Sequence, residues 1–147
     1  MIQLIGDEVG KQLPYILEES NQRLRLFAIG ARDSSLQSWV LGKRLAEILF
    51  KSYACEVEWE REEIFGLWLL YVPQLDLWGT GDTKEEAVED LVAAAEDYRE
   101  VYLQCISFYL SAGREKHLPY VLRLVLAGDD KEKIKAFLGL HKQKGRV

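Results

Sequence analysis

The stretch from Phe65 to Glu100, FGLWLLYVPQLDLWGTGDTKEEAVEDLVAAAEDYRE, decides the fold of this 147-residue chain. Trp68 to Val72 is a run of bulky apolar and aromatic residues suited to a largely buried strand. Pro73, which has no N–H to give a sheet ladder, ends it. Leu75 and Leu77 alternate with Asp76 and Trp78 as a short second strand, and Gly79-Thr80-Gly81 then frees the backbone for a tight bend. Thr83-Lys84-Glu85-Glu86 is a capping box, in which the Thr83 hydroxyl accepts the N–H of Glu86 and the Glu86 carboxylate accepts the N–H of Thr83. A helix therefore starts at Lys84. Glu85, Glu86, Glu89 and Asp90 set negative charge at the positive end of its dipole, where each well-placed group contributes roughly 0.3 to 1 kcal/mol.

Upstream, Cys55-Glu56-Val57-Glu58-Trp59-Glu60 alternates strictly and reads as another strand, with Cys55, Val57 and Trp59 on one face and three glutamates on the other. With Arg61, Glu62 and Glu63 the glutamates make an intensely acidic patch. It reads as a solvated sheet face, as a docking surface for a cationic partner, or as a divalent metal site. The last needs help from other elements, because residues two apart on one strand do not converge.

Downstream, Leu91, Ala94, Tyr98, Val101, Cys105, Phe108 and Ala112 repeat at spacings of three and four, a heptad-like seam longer than a small sheet needs. Either the carboxy-terminal residues fold back over its far end, or a homodimer or protein partner covers it through Tyr102, Phe108 and Tyr109. Gly113 ends the helix. Pro119 opens another, Tyr120 to Ala127, which Gly128 stops. Asp129 or Asp130 caps the last, Lys131 to about Leu140, presenting Ile134, Phe137 and Leu138 to one side. The result is a helical hairpin with a three-residue turn, suited to packing or to wrapping a partner. A DNA-reading helix-turn-helix would need a third helix and exposed base-reading side chains.

The first fifty residues read as a further layer. Asp7 to Ser20 carries Val9, Leu13, Ile16 and Leu17 at helical spacing, with Pro14 placing a boundary or first turn inside it. Arg23 to Ile29 alternates charged and apolar residues before Gly30, a half-buried strand pattern. Ser34 or Ser35 then caps a helix to about Phe50, with Leu36, Trp39, Val40, Lys43, Leu45, Ile48 and Leu49 forming its stripe.

Composition is that of an ordinary globular protein, 48% hydrophobic and 29% charged. No apolar run reaches the roughly 20 residues that span a bilayer, and the opening residues lack the basic start and apolar stretch of a signal peptide, so a cytoplasmic location is expected. Cys55 and Cys105 have no CxxC spacing and read as buried free thiols. Charge is divided unevenly: residues 1–113 hold 10 Lys/Arg against 20 Asp/Glu, and residues 114–147 hold 9 against 4. An acidic body suits a basic protein partner and repels phosphates. Lys131, Lys133, Lys135, Lys142, Lys144 and Arg146 form either a solvated helix face with a frayed end or a set of DNA contacts. Enzyme chemistry finds little support. His117 and His141 lie far in sequence from either cysteine, Gly79-Thr80-Gly81 lacks the lysine and length of a phosphate-binding loop, and Asp76, Asp82 and Glu58 fall short of a nuclease carboxylate cluster. No catalytic residue, metal ligand or cofactor is expected.

Tyr71-Val72-Pro73, Gly81-Asp82-Thr83 and Glu85-Glu86-Ala87 give the order strand, Pro-containing turn, strand, Gly-Asp-Thr, helix, which resembles the core of the HicB-like antitoxin family over roughly Cys55 to Tyr102. Where that family has a Pro-Gly-Cys-like turn, this chain has Gln74-Leu75-Asp76-Leu77-Trp78. The helix, strand and helix of the first fifty residues resemble, by element order, the amino-terminal fold of Phd-type antitoxins. There the region dimerises and binds operator DNA, and the basic groups available for it here are Arg23, Arg25, Arg32, Lys43 and Arg44. The resemblances imply an α+β fold: a small antiparallel sheet of three to four strands packed against helices, a long central helix and a carboxy-terminal helical hairpin. Its expected division is a core over 1–113, made of a Phd-like layer (1–50) and a HicB-like part (51–113), followed by a basic hairpin and tail over 114–147. They also imply an antitoxin of a type II toxin–antitoxin system, non-enzymatic and dimeric. Such a protein binds a small basic ribonuclease toxin, RelE-like or HicA-like, through Glu56, Glu58, Glu60, Glu62, Glu63, Tyr102, Phe108 and Tyr109, and represses its own operon. The alternative is a stand-alone HicB-fold homodimer with a structural or small-molecule-binding role.

Overall fold

A computed structural model describes residues 2–30 and 37–143, with side chains for 9–30 and 38–141. The chain falls into two compact units, Met1–Leu49 and Phe50–Val147. Each has its own three-stranded sheet and the fold is α+β throughout.

The first unit runs β1 (Ile2–Ile5), α1 (Gly6–Gln22), β2 (Phe27–Gly30) and β3 (Gln37–Val40), and α2 (Lys43–Phe50) follows. β1 pairs parallel with β2, so α1 is the crossover between them, and β3 pairs antiparallel on the other side of β2. Ile16 and Phe27 are buried here, with Val9 and Val40 packed against them. Gly42 lets the chain pass close to the end of α1, since a Cβ there would stand 2.2 Å from the Ser20 carbonyl oxygen. Asn21 Oδ1 accepts the Lys43 N–H at 3.1 Å beside it.

Three expectations change in this unit, and one strand is added. The opening residues form a strand, β1, whose four residues are too few to show a period. Pro14 does not interrupt α1: it and Gly10, whose carbonyl loses its partner, are both exposed, so water can satisfy that oxygen. The strand expected from Arg23 shrinks to Phe27–Gly30, because Leu24 takes a left-handed φ of 56° and Glu19 draws in Arg23 and Arg25 at 3.6 and 3.2 Å. The helix expected over Ser34 or Ser35 to Phe50 is the strand β3 and then the shorter α2. Ser34, Ser35, Leu36 and Arg32 lie outside the described residues. Aromatic and β-branched Trp39 and Val40 pair instead with Ala28 and Phe27.

The second unit begins with β4 (Glu58–Arg61), β5 (Trp68–Val72) and β6 (Leu77–Gly81), antiparallel in the order β4-β5-β6. Then come α3 (Lys84–Gln104), α4 (Ile106–Ser111), a 3-10 turn (Glu115–His117), α5 (Leu118–Ala127), α6 (Lys131–Leu138) and a 3-10 turn (Leu140–Gln143). α3 covers one face of the sheet. Leu70, Val72, Leu75, Leu77, Leu91 and Tyr102 share a core with Val121, Leu124, Ile134 and Leu138 from α5 and α6. The carboxy-terminal helices thus cover the far part of α3, and the Asp130 carboxylate caps α6 by accepting the N–H groups of Glu132 and Lys133.

Gly79-Thr80-Gly81 is not the bend expected but the continuation of β6. The turn comes earlier, at Pro73–Asp76, where Asp76 takes a φ of 52°. The glycines are there because α3 lies directly on them: a Cβ on Gly79 would meet the Ala87 carbonyl oxygen and Leu91 Cβ at 2.6 Å, and one on Gly81 would meet the Ala87 nitrogen at 2.5 Å.

Candidate protein-binding surface

The acidic patch is carried by an edge strand. Glu56, Glu58, Glu60 and Glu63 are exposed while Cys55 and Val57 are buried, so the alternation read from the sequence holds although β4 itself starts only at Glu58. Glu62 differs from its neighbours. Its carboxylate accepts the N–H groups of Ile64 at 2.6 Å and Phe65 at 2.7 Å, which fixes the β4–β5 turn and spends much of its hydrogen-bonding capacity. That turn lifts Ile64 and Phe65 into solvent at 82% and 80% exposure, an apolar knob at the end of the acidic strand that sequence periodicity gave no means of finding.

On β5 and β6 the sheet presents a second group. Tyr71 and Trp78 are cross-strand partners, stacked with ring centroids 4.3 Å apart. The Tyr71 hydroxyl donates to Asp76 Oδ1 at 3.0 Å, and that bond is the chief reason its pKa is raised. Asp76 in turn faces Arg114 at 3.7 Å.

The aromatic group at the end of α3 divides in two. Tyr102 is fully buried, donates its hydroxyl to the Arg114 carbonyl at 2.8 Å and stacks on Tyr109 at 4.8 Å. Phe108 is 66% exposed and packs edge-on against Tyr109 at 5.4 Å. Only Phe108, and part of Tyr109, are placed to touch another molecule, with Tyr102 holding Tyr109 from beneath. The heptad-like seam is broken, because α3 ends at Cys105, whose φ and ψ of −128° and 39° are not helical. Cys105 is exposed, which corrects the expectation of two buried thiols. Cys55 is buried, and desolvation pushes its pKa up to about 12 despite the opposing charge of Arg123.

The basic residues of the last helix are scattered in role. Lys131 is paired with Glu96, Lys135 lies 3.4 Å from Glu132, and Lys133 is exposed. The Lys142 side chain, Lys144 and Arg146 lie outside what is described. Beside this helix a cleft of about 310 Å³ is lined by Trp59, Lys84, Val88, Glu89, Lys135 and Leu140. Among the described residues no group of three His, Cys, Asp or Glu side chains is arranged to hold a metal ion, and no helix is long and apolar enough to cross a membrane.

The roles of three polar residues, Arg99 and His117 buried and Arg123 half-buried, are not legible in the sequence. Arg99 is 6% exposed and donates to the Leu124 and Gly128 carbonyls at 2.9 and 2.7 Å, closing the end of α5. Arg123 donates to the carbonyls of Phe50, Lys51 and Tyr53, anchoring the entry to the second unit. His117 is buried with Nδ1 2.6 Å from the Tyr98 hydroxyl, and its pKa is lowered by burial and by Arg114. An arginine amid polar helix residues has no sequence signal that marks it as inward.

The class that this fold and surface define has solved and catalogued counterparts. The crystal structure of a chain described as the antitoxin part of a proposed toxin/antitoxin system, from Syntrophomonas wolfei subsp. wolfei, superposes with a TM-score of 0.72. The match covers 93% of this chain and 96% of that one at 18% identity, a likeness of fold. A family model described as PHD-like, antitoxin of toxin–antitoxin, RelE/RelB, TA system, matches residues 3–139. The chain belongs to this PHD-like antitoxin family, and the match embraces the segment that resembles the HicB-like core as well as the amino-terminal unit. No curated protein matches it.

Proposed function

We propose that this antitoxin neutralises a small basic ribonuclease toxin, RelE-like or HicA-like, by covering the toxin's cationic RNA-binding surface. The observation that carries the reading is the exposed group Glu56, Glu58, Glu60 and Glu63, of which Glu58 and Glu60 lie on the edge strand β4 and the other two flank it, on an acidic body. Opposite charge speeds the encounter and excludes messenger RNA from the same surface. Phe108 and Tyr109 add an apolar anchor, Tyr102 supports them from the core, and Glu62 contributes by shaping the turn. The strand–strand–helix segment of the second unit carries the HicB-like part of the reading.

The protein acts by binding rather than catalysis, in the cytoplasm and as a homodimer, and represses its own operon. For repression Lys133, Lys142, Lys144 and Arg146, with Lys131 and Lys135 once released from their carboxylates, supply phosphate contacts.

The test is co-expression with the short basic reading frame beside the gene, followed by pull-down and a growth assay. The expected result is that the neighbour arrests growth alone, is rescued in complex, and loses affinity for Glu58→Lys/Glu60→Lys. Unchanged affinity in that variant removes the electrostatic mechanism. A second reading, a stand-alone homodimer that binds a small molecule, is favoured by the cleft beside α6. A neighbour that is harmless and does not bind would turn the search there.

A further inference from the structure

The register of the second sheet puts two rows of side chains on the face turned away from α3. Gly79 and Gly81 lie against that helix and Leu70, Val72 and Leu77 are in the core, so the alternate residues point outward. One row is Glu58, Tyr71, Trp78, and the next is Glu60, Leu69, Thr80. Glu58, Glu60 and Thr80 are exposed, Trp78 is 54% exposed, and Tyr71 and Leu69 are half-buried. Neighbouring strands lie about 4.8 Å apart, so each glutamate stands within about 10 Å of an aromatic or apolar partner in its own row.

The aromatic pair here differs from the other pair of this sheet, Trp59 and Trp68, which cations of the chain already cover. Lys84 covers Trp59 and Trp68 at 6.0 and 4.7 Å, Arg61 covers Trp68 at 5.6 Å, and Arg123 covers Phe137 at 5.2 Å. Among the described residues no cation of the chain lies over Tyr71 or Trp78, although two carboxylates flank them. The stack is also held ready, since Asp76 fixes the Tyr71 hydroxyl and Arg114 faces Asp76. A planar guanidinium can lie on an aromatic face and pair with a carboxylate at once, which an ammonium point charge does less well.

We propose that this open sheet face is a receptor for arginine side chains of a cationic protein partner, one guanidinium lying on the Tyr71–Trp78 stack and pairing with Glu58, a second reaching Glu60. The assignment rests on the reading above that the partner is a basic protein, and it locates the contact. Nucleic acid is excluded by phosphate repulsion from the glutamates. A second copy of the chain would bring the same glutamates onto each other, and like charges placed opposite oppose association.

The experiment is a nuclear magnetic resonance titration of the full-length ¹⁵N-labelled protein with acetyl-Arg-Arg-Arg-amide, compared with the lysine peptide. The expected result is saturable shifts of the Trp78 indole N–H and of the Glu58, Leu69 and Thr80 amides, with the Trp59 and Trp68 indoles still. The arginine peptide should bind at least about threefold more tightly than the lysine peptide, and Trp78→Ala or Glu58→Gln/Glu60→Gln should weaken it about tenfold. Shifts gathered at Glu85 and Glu89, or an affinity unchanged by Trp78→Ala, overturn the proposal.

The same variants are then measured against the neighbouring basic protein. A complex that forms with the natural chain and is weakened by Trp78→Ala supports the site. One that is indifferent to Trp78→Ala and to Glu58→Gln/Glu60→Gln overturns it and leaves the antitoxin reading standing. Failure of the natural chain to bind the neighbour, with Trp78 still responding to the peptide, overturns the toxin partner and leaves the arginine site. Trp78 is at the surface, and an unchanged amide spectrum elsewhere shows that its variant folds.

Discussion

Gly79 and Gly81 look in the sequence like the two sides of a loop, and flexibility is the ordinary reason for such a pair. Their actual role is steric. α3 crosses β6 so closely that a single methyl group at Gly79 would overlap the Ala87 carbonyl oxygen and the Leu91 side chain at 2.6 Å. Gly79→Ala should therefore push α3 off the sheet and cost about 1 to 3 kcal/mol, measured as a lower urea midpoint. By contrast Gly10→Ala, on an open helical position with nothing within 4 Å, should be neutral or slightly stabilising. His117 gives a pH-dependent counterpart. Burial and Arg114, with a smaller effect from Lys116, lower its pKa below the ordinary value of 6.5, and only Asp76 opposes them. The unfolded chain consequently binds a proton on falling through pH 6.5 while the native imidazole does not. Stability is full above that pH and is lost as the pH falls from 6.5 toward the lowered native value. Urea unfolding of the natural chain and of His117→Gln at pH 7.5 and pH 5.5 should show a smaller acid loss in the variant. An identical acid loss would mean that other groups carry it.

At the scale of elements, the start of α3 was legible and its end was not. Thr83 and Glu86 satisfy each other's backbone N–H groups through side chains three residues apart, an interaction written wholly in local sequence. The end depends on residues distant in the chain. Tyr102 reaches the Arg114 carbonyl and stacks on Tyr109, and α4 begins anew after Cys105, so the apolar spacing running on to Ala112 no longer describes one helix. The buried stripe is Ala87, Leu91, Val92, Ala95 and Tyr102, which shares Leu91 with the seam that periodicity suggests and then runs one position beside it. Arg99 lies on this stripe as a side chain long enough to serve the carbonyls at the end of α5. Arg99→Ala should cost about 2 to 4 kcal/mol, since it strips two buried carbonyl oxygens of a charged donor. Thr83→Ala, which removes one exposed cap bond, should cost about 1 kcal/mol. Equal losses in the two variants by chemical denaturation would show that Arg99 contributes no more than a surface group.

For the whole molecule, legibility followed the distance over which each contact acts. The acidic strand, the capped helix, the glycine stops and the Asp130 cap are local patterns, and with them came the α+β class and the antitoxin reading. What escaped needed partners far along the chain: β1, which is a strand only because β2 lies parallel to it, and β3, which Phe27 and Ala28 recruit from a segment with helical spacing. The candidate surface is legible in the same half-complete way. Its glutamates alternate along one strand, whereas the Tyr71–Trp78 stack depends on register between two. The division into two units has a consequence for how the chain opens. In the second unit the buried core joins strands from Cys55 onward to the last helix at Leu138, while the described core of the first is Ile16 and Phe27 with their few neighbours, and α2 contributes no buried residue. Opening free energy tracks buried apolar contact, so the two units should not open together. Native-state hydrogen exchange should show the amides of β5, β6 and the first turns of α3 as the slowest in the protein. Those of α1 and β2 should exchange through a cheaper, separate opening, and limited proteolysis should leave a folded fragment beginning near Phe50. Uniform protection across β2 and β5, with one common dependence on denaturant, would instead show that the chain unfolds as a single cooperative body and that the first unit draws its stability from the second.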